Sequence, residues 1–161
     1  ETLFAEVAAC CDSAVQNGWH VVFLPFHYPE DVEAGKLIME KMRQVQGATL
    51  LQENYTPLET MCILKNADMI LGMRLHSLIM GATMQKSMIG LSYDPKVSSF
   101  MQLLRQRECF DVETVTAQQL TTAMQRLQNR SEKDQAQQEL LAEIMMRQAK
   151  EPAELLMQLF K

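Results

Sequence analysis

The stretch that decides the fold is 67-ADMILGMRLHSLIMGATMQKSMIGLSYDPK-96. Two short apolar runs, "MILG" and "SMIGLS", flank a longer apolar segment that reads as a buried helix. A strand, a helix and a second strand in that order imply a crossover connection, because the link is too long for a hairpin and suits parallel strands. Asp94-Pro95 then starts a further helix, with aspartate as its cap and proline at its first position. Arg74, His76 and Ser77 stand within four positions of one another inside this apolar stretch.

The same alternation extends in both directions. Toward the N-terminus, residues 3 to 17 place Leu3, Phe4, Val7, Ala8, Cys11 and Val15 on one helical face, ending at Asn17-Gly18. "HVVFLPF" (20–26) reads as a strand buried on both faces, "PEDVEAGKLIMEKMRQV" (29–45) as a helix and "ATLLQ" (48–52) as a strand. Thr56-Pro57-Leu58-Glu59 opens the next helix with a capping box and a proline at its first position. Toward the C-terminus, "TAQQ" (116–119) is a second capping box and opens a helix to Gln128. Ser131 and Asp134 precede a helix with Leu140, Leu141, Ile144 and Met145 on one face, and Pro152 opens a last short one ending near Phe160.

Strand and helix thus alternate through residue 107, and the C-terminal third reads as helical only. The pattern predicts an α/β domain: a Rossmann-like, doubly wound parallel sheet with additional C-terminal helices. The chain opens on a helix that in such a sheet follows a strand, and residue 1 is Glu. We therefore expect a larger protein whose first strand lies upstream of these residues.

Composition narrows the function. The chain has 161 residues, 47% hydrophobic and 22% charged, which suits one domain with a proper core. A net charge of −5 argues against a nucleic-acid footprint, so an anionic ligand must be held by a few local groups. No apolar run approaches the ~18 residues of a membrane span. Cys10, Cys11, Cys62 and Cys109 form no CxxC pair and share no ligand spacing with His20, His27 or His76, which argues against zinc. Cysteines without a disulfide framework fit a reducing compartment. Cys11 falls on the apolar helix face, and the thirteen methionines read as flexible core filler.

In open parallel sheets, ligands bind beyond the carboxyl ends of the strands. Three polar groups come after strands here: His27, the Arg74/His76 pair, and Tyr93, Asp94 and Lys96. On a regular helix Arg74 and His76 would point ~200° apart, so they can face one ligand only if Arg74 belongs to the strand-to-helix turn. His76 and Ser77 would then occupy the first helical turn, where free N–H groups favour an anion, and Arg74 would add a planar fork that matches carboxylate or phosphate. The competing reading is a structural Arg74–Asp68 pair beside a hydrogen-bonded core histidine. Lys96 in a first helical turn opposes the dipole by ~0.3–1 kcal/mol, a conflict that a bound anion would remove and that water screens if the lysine is exposed. His27 reads equally as a loop cap and Tyr93 as packing.

With these residues in view, the chain resembles the C-terminal half of bacterial polysaccharide pyruvyltransferases, of the type that attaches ketal pyruvate to secondary cell-wall polymers. The matching stretches are "VVFLPFH", "ADMILGMRLHSLIMGA" and "GLSYDPKVSSF", in that order, and the likeness runs from residue 3 to 107. Gln85-Lys86-Ser87 stand where the family usually has Gly-x-Pro before the last strand. The resemblance implies one half of a two-domain, GT-B-like enzyme whose N-terminal domain is a further partner. It implies transfer of pyruvate from phosphoenolpyruvate to two hydroxyls of a sugar or lipid-linked oligosaccharide acceptor, with release of phosphate. It associates the Arg74-Leu75-His76 segment with phosphoenolpyruvate binding and catalysis, with Arg74 on the carboxylate or phosphate and His76 as general acid/base. Ser77, Lys96, Tyr93 and His27 are the auxiliary binding candidates. No metal or organic cofactor is needed. The implied location is cytoplasmic, extending to the inner face of the membrane, and homo-oligomers are compatible with it.

Two other functions fit the same alternation. One is a sugar-nucleotide glycosyltransferase or epimerase, which would hold the donor ribose with a glutamate beyond the phosphate-binding helix; Glu108 is the next carboxylate after Asp94. The other is a non-catalytic anion-binding domain, since fold alone does not imply function.

Overall fold

The structure, a computed structural model, describes residues 2–130 and, beyond them, Leu140 and Ile144. Helices and strands alternate as α1 (Thr2–Gln16), β1 (Val21–Phe23), α2 (Glu30–Met39), β2 (Ala48–Leu50), α3 (Pro57–Lys65), β3 (Met69–Gly72), α4 (Leu75–Thr83), β4 (Ser87–Ser92), α5 (Pro95–Leu103), β5 (Cys109–Asp111) and α6 (Ala117–Gln128). Every strand pair is parallel: β1 with β2, β3 with β4, and β4 with β5. The strands form two sheets, β1-β2 and β3-β4-β5. The molecule is therefore a mixed α/β protein in which a helix connects the two strands of each parallel pair.

β4 shows why. Its residues alternate between two apolar layers: Ile89 and Leu91 pack with α1 and α6, through Val7, Cys11 and Leu120. Met88 packs on the other side with Leu78, Val97 and Met101 of α4 and α5. A strand clothed on both faces reads as continuous apolar sequence, which is how "SMIGLS" reads. The N-terminal helix joins this core as expected. Burial pushes the Cys10 thiol up to about 11 and that of Cys11 up to about 12, so both behave as packing residues.

Local signals set the helix boundaries. Both capping boxes form, Thr56 with Glu59 and Thr116 with Gln119. The Asp94 carboxylate accepts from the Lys96 N–H at 2.8 Å and Pro95 comes directly after it. Gly18, at φ +85°, turns the chain out of α1.

Three expectations are corrected. β1 covers three residues of "HVVFLPF", and Val22 is 48% exposed, so this strand is not buried on both faces among the described residues. Pro25 lacks the N–H a longer ladder would need. α2 stops at Met39, where the Asp12 carboxylate takes the N–H groups of Arg43 and Gln44 and holds the adjoining chain in a bend. α5, for which the sequence set only a start, ends at Leu103, and Arg105 takes a positive φ of 52°. The last third is not helical only: Cys109–Asp111 forms β5, a short strand whose apolar content is too brief to signal itself. The helix expected at Pro152 lies outside the described residues, as does the one expected after Ser131 apart from Leu140 and Ile144, which are both helical.

Candidate functional site

The carboxyl ends of β1, β3 and β4 carry the residues singled out from the sequence. β3 ends at Gly72, and a Cβ there would fall 2.6 Å from the Ser77 Oγ and 2.8 Å from Leu78 Cδ2. Glycine therefore lets α4 start hard against its own strand. Arg74 is the N-cap residue of α4, extended at φ −83°, ψ 132°, so it belongs to the strand-to-helix turn. The Ser77 hydroxyl donates to the Arg74 carbonyl at 2.7 Å and braces that turn. His76 comes next in the first turn of α4, exposed, not as a core histidine.

The partner of Arg74 is Asp31, not Asp68. Its Nη2 donates to Asp31 Oδ1 at 2.6 Å, and the other carboxylate oxygen accepts from the backbone N–H groups of Phe26 at 3.0 Å and His27 at 2.8 Å. Burial alone would push the Asp31 carboxyl up, but the Arg74 hydrogen bond and the two backbone donors hold it below its ordinary value of 3.8. The same bond raises the pKa of Arg74, against burial, and the Tyr93 phenol oxygen adds a smaller contribution from beside the guanidinium. Arg74 Nε is buried and makes no hydrogen bond.

Asp68 is excluded by geometry. It precedes β3 while Arg74 lies beyond it, and a four-residue strand spans about 13 Å. Asp31 reaches Arg74 because it sits in the first turn of α2, directly after β1.

The other candidates divide. His27 lends its backbone to Asp31, while its exposed ring faces Glu30 at 3.2 Å. Tyr93 and Lys96 come after β4, the neighbour of β3, and both are exposed. Leu75 packs partly into the α4–α5 layer. Arg74, Asp31 and Ser77 border one end of a cavity of about 1010 Å³ between β1 and β3, which His27, His76, Tyr93 and Lys96 do not line. Glu108 stands just before β5, at the opposite end of the sheet from Arg74, with its carboxylate 3.7 Å from Arg126. Among the described residues no group of three or more His, Cys, Asp or Glu could hold a metal ion, and no helix is long and apolar enough to cross a membrane. The sequence reading missed Asp31: its acidic neighbours Glu30 and Glu33 make it look like ordinary first-turn charge.

Fold and cluster together define an α/β protein whose candidate residues gather beyond the carboxyl ends of parallel strands. A family model, polysaccharide pyruvyl transferase, matches residues 1–95, and the chain belongs to that family. The match takes in His27, Asp31, Arg74, His76 and Tyr93 and ends one residue short of Lys96. Comparison with curated proteins and with solved structures gave no match. The protein is accordingly a member of a transferase family concerned with pyruvyl transfer to polysaccharides.

Proposed function

We propose that the protein takes pyruvate from phosphoenolpyruvate and attaches it as a ketal to a sugar of a cell-wall or extracellular polysaccharide precursor, releasing phosphate. One observation carries the reading. A guanidinium held by a carboxylate at 2.6 Å sits at the start of a helix with no acidic residue in its first turn. Asp31 fixes the Nη2 arm of the fork and Nε is buried, which leaves the outer, Nη1 side of the guanidinium for a carboxylate or phosphate. The N–H groups of Leu75 and His76, ahead of the first intrahelical bonds, favour the same anion. Lys96 and the Tyr93 phenol flank it from the next strand, and His27 contributes through its backbone. Ser77 acts by bracing Arg74.

His76 is the general acid/base. It gives a proton to the methylene carbon of phosphoenolpyruvate, leaving a cation-like centre at C2. A sugar hydroxyl adds there and returns its proton to His76. The second hydroxyl then displaces phosphate, which leaves with the remaining proton. The scheme uses phosphoenolpyruvate and the acceptor alone. We place the domain as the C-terminal, Rossmann-like half of a GT-B-like enzyme, with an N-terminal domain facing a sugar or lipid-linked acceptor in the cytoplasm or at the inner membrane face.

Glu108 weighs against the sugar-nucleotide reading, because it lies at the amino end of β5, away from Arg74. The test is phosphate release by the complete enzyme from phosphoenolpyruvate with and without an N-acetylhexosamine acceptor, alongside thermal shift with uridine diphosphate. Acceptor-dependent release supports the proposal. Stabilisation by uridine diphosphate with no release would replace it.

A further inference from the structure

Among the described residues, Tyr28 and Tyr93 are the two exposed aromatic side chains, at 49% and 55%, while the other tyrosine, the tryptophan and the phenylalanines are partly covered. Both come after the carboxyl end of a strand, Tyr28 after β1 and Tyr93 after β4. An aromatic ring left in water forgoes the burial that such side chains ordinarily supply, so its place on the surface calls for a reason. Tyr93 has one, since its phenol stands beside the Arg74 guanidinium. Tyr28 has none within the fold.

Tyr28 sits in the middle of a closed turn. The Asp31 carboxylate accepts from the N–H groups of Phe26 at 3.0 Å and His27 at 2.8 Å. The His27 carbonyl in turn accepts from the Asp31 N–H at 2.9 Å, and the Pro29 carbonyl from the Val32 N–H at 3.0 Å. The backbone is thus fastened on both sides of Tyr28. The other oxygen of Asp31 takes Arg74 Nη2 at 2.6 Å, which ties the turn to the guanidinium. His27 and Glu30 flank Tyr28 as an exposed polar pair, with Nδ1 and Oε2 3.2 Å apart.

These groups suit a sugar. A pyranose lays the C–H bonds of one face on an aromatic ring and turns its hydroxyls to a carboxylate and an imidazole. They do not suit a second anion, because Glu30, Asp31 and Glu33 crowd the start of α2 with negative charge. A fixed turn is also what the reaction requires, since two hydroxyls of one sugar must be held against a donor on Arg74. On the proposed transfer of pyruvate from phosphoenolpyruvate, we infer that the turn His27–Glu30 is a subsite for the acceptor sugar. Tyr28 is the face on which the sugar stacks, and His27 and Glu30 meet its hydroxyls.

Saturation-transfer NMR on the complete enzyme tests this, with methyl glycosides of N-acetylglucosamine, N-acetylmannosamine, glucose and galactose as probes. Wild type should bind at least one of them. Tyr28→Ala should weaken that binding about 10-fold, while Tyr28→Phe, which keeps the ring face, should match wild type. Calorimetric affinity for phosphoenolpyruvate should be the same in all three proteins. Equal sugar binding by wild type and Tyr28→Ala, or none by wild type, would overturn the subsite. Loss of sugar and phosphoenolpyruvate binding together in Tyr28→Ala would also overturn it, by showing that the turn serves Arg74 alone. Sugar binding is read here without turnover, so the reaction fails separately. Tyr28-dependent binding by an enzyme that releases no phosphate would overturn pyruvyl transfer and leave the sugar subsite in place.

Discussion

At the scale of single residues, the pair Asp31–Arg74 sets the electrostatics of the site. Asp31 is held below 3.8, so its folded form binds a proton less readily than its unfolded form. A depressed carboxylate contributes stability that is fully present above the unfolded pKa and is lost as pH falls through the folded one. The stability advantage of wild type over Asp31→Asn should be constant from pH 7 to about 5 and shrink below about pH 4. Urea midpoints across that range would measure it; an advantage that grows as pH falls would reverse the assignment. His76 is a different case, exposed in the first turn of α4. His76→Ala should lower turnover by about 10²–10⁴-fold while phosphoenolpyruvate still binds. Unchanged turnover would remove it from the mechanism.

At the scale of elements, two turns of similar appearance should respond differently. Thr116 caps α6 with an ordinary box, so Thr116→Ala should cost about 1 kcal/mol and leave activity intact. Gly72→Ala forces a Cβ to within 2.8 Å of both Ser77 Oγ and Leu78 Cδ2, and Leu78 is fully buried. It should cost about 1–3 kcal/mol and also lower activity, because the displaced turn carries Arg74. Chemical denaturation with parallel assays separates the two; a silent Gly72→Ala would show that α4 has room to move. The elements were legible in the sequence wherever their signals were local. Thr56, Asp94 and Thr116 cap within three residues, and "SMIGLS" is apolar because both its faces are covered. β5 was not legible, since Cys109–Asp111 becomes a strand only by pairing with β4. Nor was the Arg74 partner, because Asp31 and Arg74 are 43 positions apart and only the tertiary fold brings the first turn of α2 beside the start of α4.

At the scale of the molecule, the proposed two-domain enzyme would have residues 1–161 present Arg74, the start of α4 and Lys96 to the donor, while transfer needs acceptor and donor held within ~3–3.5 Å. These residues alone should release no phosphate in the presence of acceptor; release matching the complete enzyme would show that one domain suffices. The central claim is that Arg74 receives phosphoenolpyruvate, and calorimetric titration of the complete enzyme addresses it most directly. An ammonium cannot reproduce the planar fork, and a charged hydrogen bond is worth about 1.5–3 kcal/mol. Arg74→Lys should therefore bind phosphoenolpyruvate on the order of 10–100-fold more weakly than wild type, with a similar melting temperature. Equal affinity in the two proteins, with a melting temperature well below wild type in the variant, would show that Arg74 serves the fold and not the ligand.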